Sequence, residues 1–408
     1  MFCKTLGDMD MKLEIYTDKK YARFFRNQIA QVRQYPDMFI DRVENGMFVI
    51  NSDTGAFGVF DADGVFIDSS LQYRGKNTQF IPKYKNVEDY MDCDAVFLGN
   101  AYPHFGHFIV EHLNRAWGIE KIHSENVKYV FVDNKNIGAK SWLFDFTDML
   151  GIARDDVLIL NKSMRFNNVY IPTQSLNNSG NMWAPQFGRG FDIMRDNVVA
   201  EKIYELVYVS RAKLPDTMCT YNEEKIQKVF ERNGFHVVYP ETLPLHQQVA
   251  IIGNCKVLAG CAGTALHLGV FMKPGGRIIQ LNRTSDIHDN GPLQWRMCMI
   301  KGLDFDIVSA SVEEFKSKHG GAHAPQIIGG TKYLRSFFDD NGFVYQESDM
   351  VPDEAELGKY KSQLDLFKKS NGGKVKQKLK KLLIKIVSCL VPGRVNRGRV
   401  RKYLKEHL

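Results

Sequence analysis

The sequence predicts an α/β protein made of two alternating strand–helix units followed by a basic amphipathic tail. Three observations predict it. From Val207 to Asn282, short β-rich runs alternate with helical stretches. From Asp94 to Pro172 the same alternation occurs. After Lys374 the chain turns to lysine, arginine and leucine. Alternating strands and helices argue for parallel sheets with helices on both faces. Such sheets bind ligands outside the carboxyl ends of their strands.

In chain order, residues 1 to 45 carry little pattern beyond a predicted helix over Asp18 to Val32. Met47–Ile50, Gly58–Phe60 and Val65–Ile67 then read as antiparallel strands around an Asp61–Gly64 turn. The first alternating unit opens with a buried strand at Ala95–Leu98. A loop over Asn100–Gly106 leads to a predicted helix from His107 to Lys121. Val127–Val132 is the next strand, and Trp142–Leu150 the next helix, closed by Gly151. Val157–Leu160 and Asn168–Pro172 complete the unit. Pro172 to Met194 is rich in Asn, Gly and Ser and reads as loop. The boundary falls there or just after it, giving domains at 1–195 and 196–345, with linker and tail at 346–408.

The second unit is the better patterned. Val207–Val209 is a strand that runs into Ser210-Arg211-Ala212-Lys213. Asn222 to Asn233 is amphipathic, with Glu223 and Glu224 in its first turn and Gly234 at its C-cap position. His236–Tyr239 is a strand ended by Pro240-Glu241. A helix from Leu245 to Ile252 leads to the strand Lys256–Ala259. Gly260 to Thr264 turns the chain into a short apolar helix, Ala265–Met272, and Arg277–Leu281 is another strand. Arg211, Glu241 and the Gly260–Thr264 turn therefore all fall at strand carboxyl ends. Beyond Asn282 the pattern weakens. Phe305–Val308 reads as a strand, His319–Ala324 as a loop, and Glu347–Glu356 as a linker.

Composition sets the class. A chain of 408 residues suggests about two domains. Its 44% hydrophobic and 25% charged residues are those of a globular protein rather than a disordered or fibrous one. The seven cysteines, Cys3, Cys93, Cys219, Cys255, Cys261, Cys298 and Cys389, form no CxxC pair, which argues for a reducing compartment. Neither a signal peptide nor a membrane-spanning run is visible, so the expectation is a cytoplasmic protein. The charge is unevenly placed. Lys374 to Leu408 carries net +11 in a chain of net +7, which leaves the remainder at −4. Val375, Leu379, Leu382, Leu383, Ile386 and Leu390 share one side of a predicted helix, with lysines on the others. That pattern suits a helix lying on an anionic membrane, at the inner face for a cytoplasmic protein. The alternatives are a solvated charge run or a nucleic-acid contact. The continuous apolar face and the absence of any nucleic-acid-binding motif favour the membrane.

Three segments carry a resemblance. The first is Gly106-His107-Phe108, followed by Glu111, Arg115 and Trp117. The second is Tyr208-Val209-Ser210-Arg211, followed by Asn222-Glu223-Glu224. The third is Gly260-Cys261-Ala262-Gly263-Thr264-Ala265-Leu266. In order and spacing they resemble glycosyltransferase family 61, which includes capsular-polysaccharide biosynthesis proteins. The resemblance covers roughly residues 45 to 300. There are three departures. The family more often has Asp where Glu111 stands. It often has a further Arg just before Asn-Glu, where this chain has Met218 to Tyr221. Its Gly-Pro-His-Gly-Ala-Gly-Leu segment has His where this chain has Ala262. The resemblance implies two Rossmann-like domains facing a cleft, a GT-B-like arrangement. It also implies transfer of a sugar, with inversion, from a nucleotide-sugar donor.

The residue chemistry fits that implication. A turn ahead of a helix offers backbone N–H groups and the positive end of the dipole to a diphosphate. Gly260 and Gly263 let the backbone approach, and Thr264 adds a hydroxyl. Arg211 offers a bidentate fork. Glu241 can accept from ribose hydroxyls. Lys213 and Ala265 belong to the same two segments. The competing reading is a plain βα turn, an arginine ion pair and a solvent-facing glutamate.

His107 is the candidate general base, because inverting transfer needs a group to take the acceptor hydroxyl's proton. Glu111, at i+4, would orient the imidazole, and Arg115 would pair with Glu111. The competing reading is a histidine at a helix N-terminus satisfied by a neighbour. His104, His107 and Glu111 also have ligand-type spacing, though no fourth metal ligand is evident. Asp-x-Asp triplets at Asp8, Asp61, Asp92 and Asp304 read as structural. The expectation is thus a metal-independent glycosyltransferase with no cofactor beyond its donor. It would act on a glycan or glycolipid acceptor and bind the membrane through 374–408, without nucleic acid. The alternative is a non-catalytic glycan- or nucleotide-binding scaffold of a membrane polysaccharide-synthesis complex.

Overall fold

The computed structural model describes residues 11–74, 77, 78, 81–177, 181–215, 218, 220–284, 291–312 and 325–369. The basic tail, the Asp8-Met9-Asp10 triplet, the 319–324 loop and Cys219 lie outside the described residues.

The second unit is a six-stranded sheet, parallel throughout. Its order is Leu13–Tyr16, Asp304–Ser309, Arg277–Asn282, Val257–Cys261, Leu206–Val209, His236–Val238. The N-terminal strand pairs Leu13 with Phe305. The first residues, assigned by the sequence reading to the first unit, therefore form an edge of the second sheet. Four residues give too short a signal to be placed by pattern alone. The first unit is a five-stranded sheet in the order Val157–Leu160, Val127–Val132, Asp94–Asn100, Asn168–Pro172, Ile40–Glu44. The last pair is antiparallel and the others are parallel. Met47–Asn51 and Ala56–Phe60 form the expected antiparallel pair. Asp61 Oδ1 closes the turn after them by accepting from the Asp63 and Val65 amides at 3.0 and 2.8 Å.

The two sheets share one core. Val96, Leu98 and Phe131 from the first sheet and Val207, Leu258, Ile278 and Phe305 from the second belong to a single buried cluster. Helices Ser141–Met149, Gln186–Asp196 and Leu245–Gly253 fill it. The helix Gln186–Asp196 falls where the sequence reads as loop. Its Phe187, Phe191 and Met194 are buried at helical spacing. Its glycines, which suggested a loop, are packing devices, since a Cβ on Gly190 would stand 2.8 Å from Ala116 Cβ. The expected linker is also packed. Asp349 pairs with Arg232 at 2.6 Å, and a helix over 354–369 buries Tyr360 and Leu364 against Tyr221 and Ile327. Sparse apolar residues among many acidic ones hid both elements.

The described Asp-x-Asp triplets are held within the fold. Asp94 accepts from Asn168 at 2.7 Å, and Asp306 pairs with Arg277 at 2.5 Å. No helix among the described residues is long and apolar enough to cross a membrane.

Candidate active site

Sheet order creates a crevice in the second unit. After Val209 the chain crosses to the neighbour on one side, His236–Val238. After Cys261 it crosses to the neighbour on the other side, Arg277–Asn282. The two loops diverge between adjacent strands, which is where parallel α/β sheets bind ligands. Arg211 lies on the first loop and Gly263 and Thr264 on the second. Arg211 Nη2 donates to the Met218 carbonyl at 2.7 Å, while its Nε is buried with no hydrogen-bond partner among the described residues. Its Nη1 lies 2.9 Å from where a Cβ on Gly263 would be. The Gly263 backbone is extended at φ 163°, so glycine is needed there for the guanidinium's approach, not for conformation.

Glu223 underlies this loop. It begins the helix Glu223–Arg232 and is fully buried. Its Oε1 accepts from the Arg211 amide at 3.0 Å and the Tyr208 hydroxyl at 3.3 Å. Burial pushes its carboxyl up, and the Arg211 amide bond and the charges of Arg211 and Arg283 oppose that. Asn222 precedes the helix in the left-handed region at φ 63°, its side-chain amide donating to the Ile328 carbonyl at 3.0 Å. Arg283 closes the crevice from the next strand. Its Nε donates to the Ala262 carbonyl at 2.7 Å.

The other predicted donor residues scatter. The strand runs through Gly260 to Cys261, so Gly260 is not in the turn. A Cβ on it would meet the Val209 carbonyl oxygen at 2.6 Å, which is a strand-packing requirement. Lys213 is exposed, with its Nζ 3.8 Å from the Tyr239 ring centroid. Glu241 is exposed on a 3-10 turn after the edge strand, one strand further out than Arg211. Thr264 and Ala265 open the 3-10 helix Thr264–Phe271, and Ala265 packs on the core.

The predicted helix His107–Lys121 is broken. An α-turn at Phe105–His107 passes into a π-turn at Phe108–His112, and a 3-10 helix resumes at Ala116–Lys121. Side chains claim the carbonyls a regular helix would use. Asn114 Nδ2 donates to the Val110 carbonyl at 3.3 Å, and Gln72 and Gln174 donate to that of Glu111. Gly99 lets the π-turn settle on the strand, because a Cβ there would strike the His112 carbonyl. Such turns recur at functional sites.

The i, i+4 pairing survives. His107 Nδ1 lies 3.1 Å from Glu111 Oε2, with the imidazole 41% exposed and the carboxylate 6%. The carboxylate therefore lies on the Nδ1 side of the imidazole. His104 caps the turn, its Nδ1 accepting from the His107 amide at 3.4 Å, and its ring centroid is 4.6 Å from that of His107. Arg115 is wholly buried. It donates to the Pro172 and Leu71 carbonyls and lies over the Phe97 ring, which ties the end of the strand Asn168–Pro172 to the turn after Asp68–Ser70. Among the described residues, no group of three or more His, Cys, Asp or Glu side chains is placed to hold a metal ion.

The two candidate groups meet. A Cβ on Gly106 would stand 3.0 Å from Thr264 Oγ1 and 3.4 Å from His267 Cδ2. His267 was not foreseen, because it lies in an apolar run and reads as core. Its Nδ1 is 2.8 Å from Gln294 Oε1. Burial pulls its pKa from 6.5 down to about 4, the Gln294 bond opposes that, and His107 and His104 add to the fall. Glu223 and Arg283 were also missed as site residues. Arg283 had the same signal as Arg211, an arginine directly after a strand.

Residues 105–279 match the family model Glycosyltransferase 61. The match starts at the turn that carries His107 and runs through the Arg211 and Gly263 loops. No curated protein matches the sequence significantly.

Proposed function

We propose that this chain is an inverting glycosyltransferase. It moves a sugar from a nucleotide-sugar donor to a hydroxyl of a growing polysaccharide or glycolipid. The observation that carries the reading is the meeting of two groups across Gly106 and Thr264. On one side, Arg211 and the Gly263–Thr264 turn face the switch-point crevice and suit a diphosphate. On the other, His107 backed by buried Glu111 suits proton removal from an acceptor. The family match over 105–279 supports the reaction class.

In this reading the two sheet units act as the halves of a GT-B-like enzyme, and His107 Nε2 takes the acceptor proton as the hydroxyl attacks the anomeric carbon. Arg211 and the helix N-terminus balance the leaving diphosphate, so no divalent ion is required. Glu111 holds the imidazole tautomer. The tail at 374–408 keeps the enzyme on the inner membrane face, near its acceptor.

The test is thermal stabilisation against a panel of nucleotides and nucleotide sugars, followed by turnover with the best donor. Free nucleotide should be released when acceptor is present, and release should survive EDTA. Absence of stabilisation by every nucleotide sugar would remove the donor reading. Loss of turnover with EDTA, restored by manganese, would remove metal independence.

A further inference from the structure

A buried acid lies beneath the crevice. Glu223 and Glu224 both stand in the first turn of the helix Glu223–Arg232, yet Glu224 is exposed and Glu223 is 0% exposed. Taking a carboxyl out of water is costly unless hydrogen bonds and opposite charge compensate it. Glu223 finds that compensation on both sides of the crevice. Tyr208, on the strand Leu206–Val209, donates its hydroxyl to Oε1 at 3.3 Å. The same hydroxyl lies 3.9 Å from Cys261 Sγ, on the adjacent strand Val257–Cys261. The Arg211 amide donates to the same Oε1 at 3.0 Å. The charges of Arg211 and Arg283 act on the carboxyl, and Glu356 Oε2 accepts from the neighbouring Asn222 amide at 3.2 Å.

The loop that carries Arg211 is fixed amide by amide. Ser210 N–H donates to the Val238 carbonyl at 2.9 Å and Ala212 N–H to Ser210 Oγ at 3.1 Å. Between them, the Arg211 N–H goes to Glu223. Glu223 is thus the anchor at Arg211 itself, and it ties the loop to the helix Glu223–Arg232. The guanidinium placed by this anchor stands against Gly263 across the crevice. An anion held there brings negative charge close to a carboxyl that water does not screen. Nearby negative charge raises the affinity of a carboxyl for its proton. Burial already moves Glu223 that way, while the Arg211 amide bond and the arginine charges hold it back. Anion binding and proton uptake at Glu223 are therefore linked.

We propose that Glu223 is a positioning residue of this crevice, which sets Arg211 through the loop amide and takes up a proton when an anion binds. The assignment rests on the donor reading above, through Arg211, and names a residue which that reading did not use. The proton comes from solvent, and the carboxylate becomes a neutral acid, so the bound anion meets Arg211 without an opposing charge. Anion affinity then rises as pH falls from neutral toward the ordinary carboxyl range. It levels off once Glu223 is protonated in the free protein.

The test is calorimetric titration of the full chain with sulfate, which keeps its charge across that range, with inorganic pyrophosphate, and with uridine, guanosine, adenosine and cytidine diphosphates. Repeating the sulfate titration in buffers of different ionisation heat counts the protons taken up. The wild-type chain should take up protons below neutral pH. Glu223→Gln keeps an acceptor oxygen for the Arg211 amide and cannot titrate. It should bind sulfate with no proton uptake and no acid rise in affinity. Glu223→Ala removes the anchor and should weaken pyrophosphate about tenfold relative to Glu223→Gln at neutral pH. If Glu223→Ala does not fold, proton uptake in Glu223→Gln decides alone. Unchanged proton uptake in Glu223→Gln, or equal pyrophosphate affinity in the two folded variants, overturns the assignment, and nucleoside diphosphate binding then leaves the donor reading standing. Both effects present, with no nucleoside diphosphate bound, leave Glu223 in its role and remove the donor reading. A wild-type chain that binds neither sulfate nor pyrophosphate overturns both.

Discussion

Two glycines three residues apart should separate function from fold. Gly263 has an extended backbone, so alanine costs no conformational strain there. The new Cβ would lie 2.9 Å from Arg211 Nη1, with the next atoms at 3.7 and 3.8 Å. The obstacle is the far end of a flexible side chain. Gly263→Ala should therefore displace the guanidinium and leave strand and turn in place. Stability should fall by less than about 1 kcal/mol. Anion binding should lose one charge-assisted contact, about 1.5–3 kcal/mol, or about 10–100-fold in Kd. At Gly260 the new Cβ would lie 2.6 Å from the Val209 carbonyl oxygen and 2.8 Å from its Cγ2. That obstacle includes the backbone of the paired strand, which cannot swing aside. Gly260→Ala should cost about 1–3 kcal/mol of stability through overpacking. Urea unfolding and pyrophosphate calorimetry on both variants decide the matter. If Gly263→Ala keeps wild-type anion affinity, Arg211 does not bind from that position. If it is destabilised as much as Gly260→Ala, the turn is a folding element.

Three further outcomes follow from the same geometry. His107→Ala should lower turnover about 10²–10⁴-fold and spare nucleotide affinity, and Glu111→Gln should cost less, as steady-state rates and calorimetry on the same variants would show. Loss of nucleotide affinity in His107→Ala would move that residue out of proton transfer. His267 should make the fold acid-sensitive. Its pKa is about 4 when folded against 6.5 ordinarily, so between those values the unfolded chain binds the extra proton. Stability is full above about pH 6.5 and drops by about 3 kcal/mol as pH falls to 4. Urea midpoints of His267→Gln should show a shallower acid slope, and an unchanged slope would count against the buried neutral imidazole. Deleting Lys374 to Leu408 should abolish sedimentation with anionic liposomes while the body stays folded, and retained binding would refute the membrane role of the tail.

The sheets were legible because buried parallel strands leave continuous apolar runs bounded by turns. Val207–Val209, Val127–Val132 and Arg277–Leu281 all fall within a residue or so of their observed ends. What failed was local patterning overridden by distant partners. The helix expected after His107 breaks because Gln72, Asn114 and Gln174 take its carbonyls, and Gln72 and Gln174 are far away in sequence. Gln186–Asp196 looked like loop because Gly188 and Gly190 carry packing rather than turn duties. In the candidate site, Arg211, Gly263, His107 and Glu111 were visible by type and position. Glu223 was quoted only as a helix start, since nothing in sequence says that a first-turn glutamate will be buried beneath an arginine loop. Gly260 was taken as a turn residue because a glycine fitting against a neighbouring strand and one freeing a turn look alike.

The two halves of the proposed chemistry ask for opposite electrostatics. Inverting transfer needs the base and the leaving group on opposite faces of the anomeric carbon. Negative charge then grows on the diphosphate while a proton leaves the acceptor. A base beside the diphosphate's arginine would be made harder to protonate, so the two functions benefit from separation. Arg211 and Arg283 sit on loops of the six-stranded sheet, with Glu223 among them. His107 ends the α-turn Phe105–His107 beside the other sheet, against Glu111 on the π-turn that follows. Thr264 is the seam: it starts the helix that faces the crevice and touches the turn that carries His107. A substitution there should act on both halves at once. Thr264→Val removes the hydroxyl and keeps the shape, so it should weaken pyrophosphate and slow transfer together without lowering the unfolding midpoint. An effect on transfer alone, with pyrophosphate affinity unchanged, would place Thr264 with the base and leave the anion to Arg211.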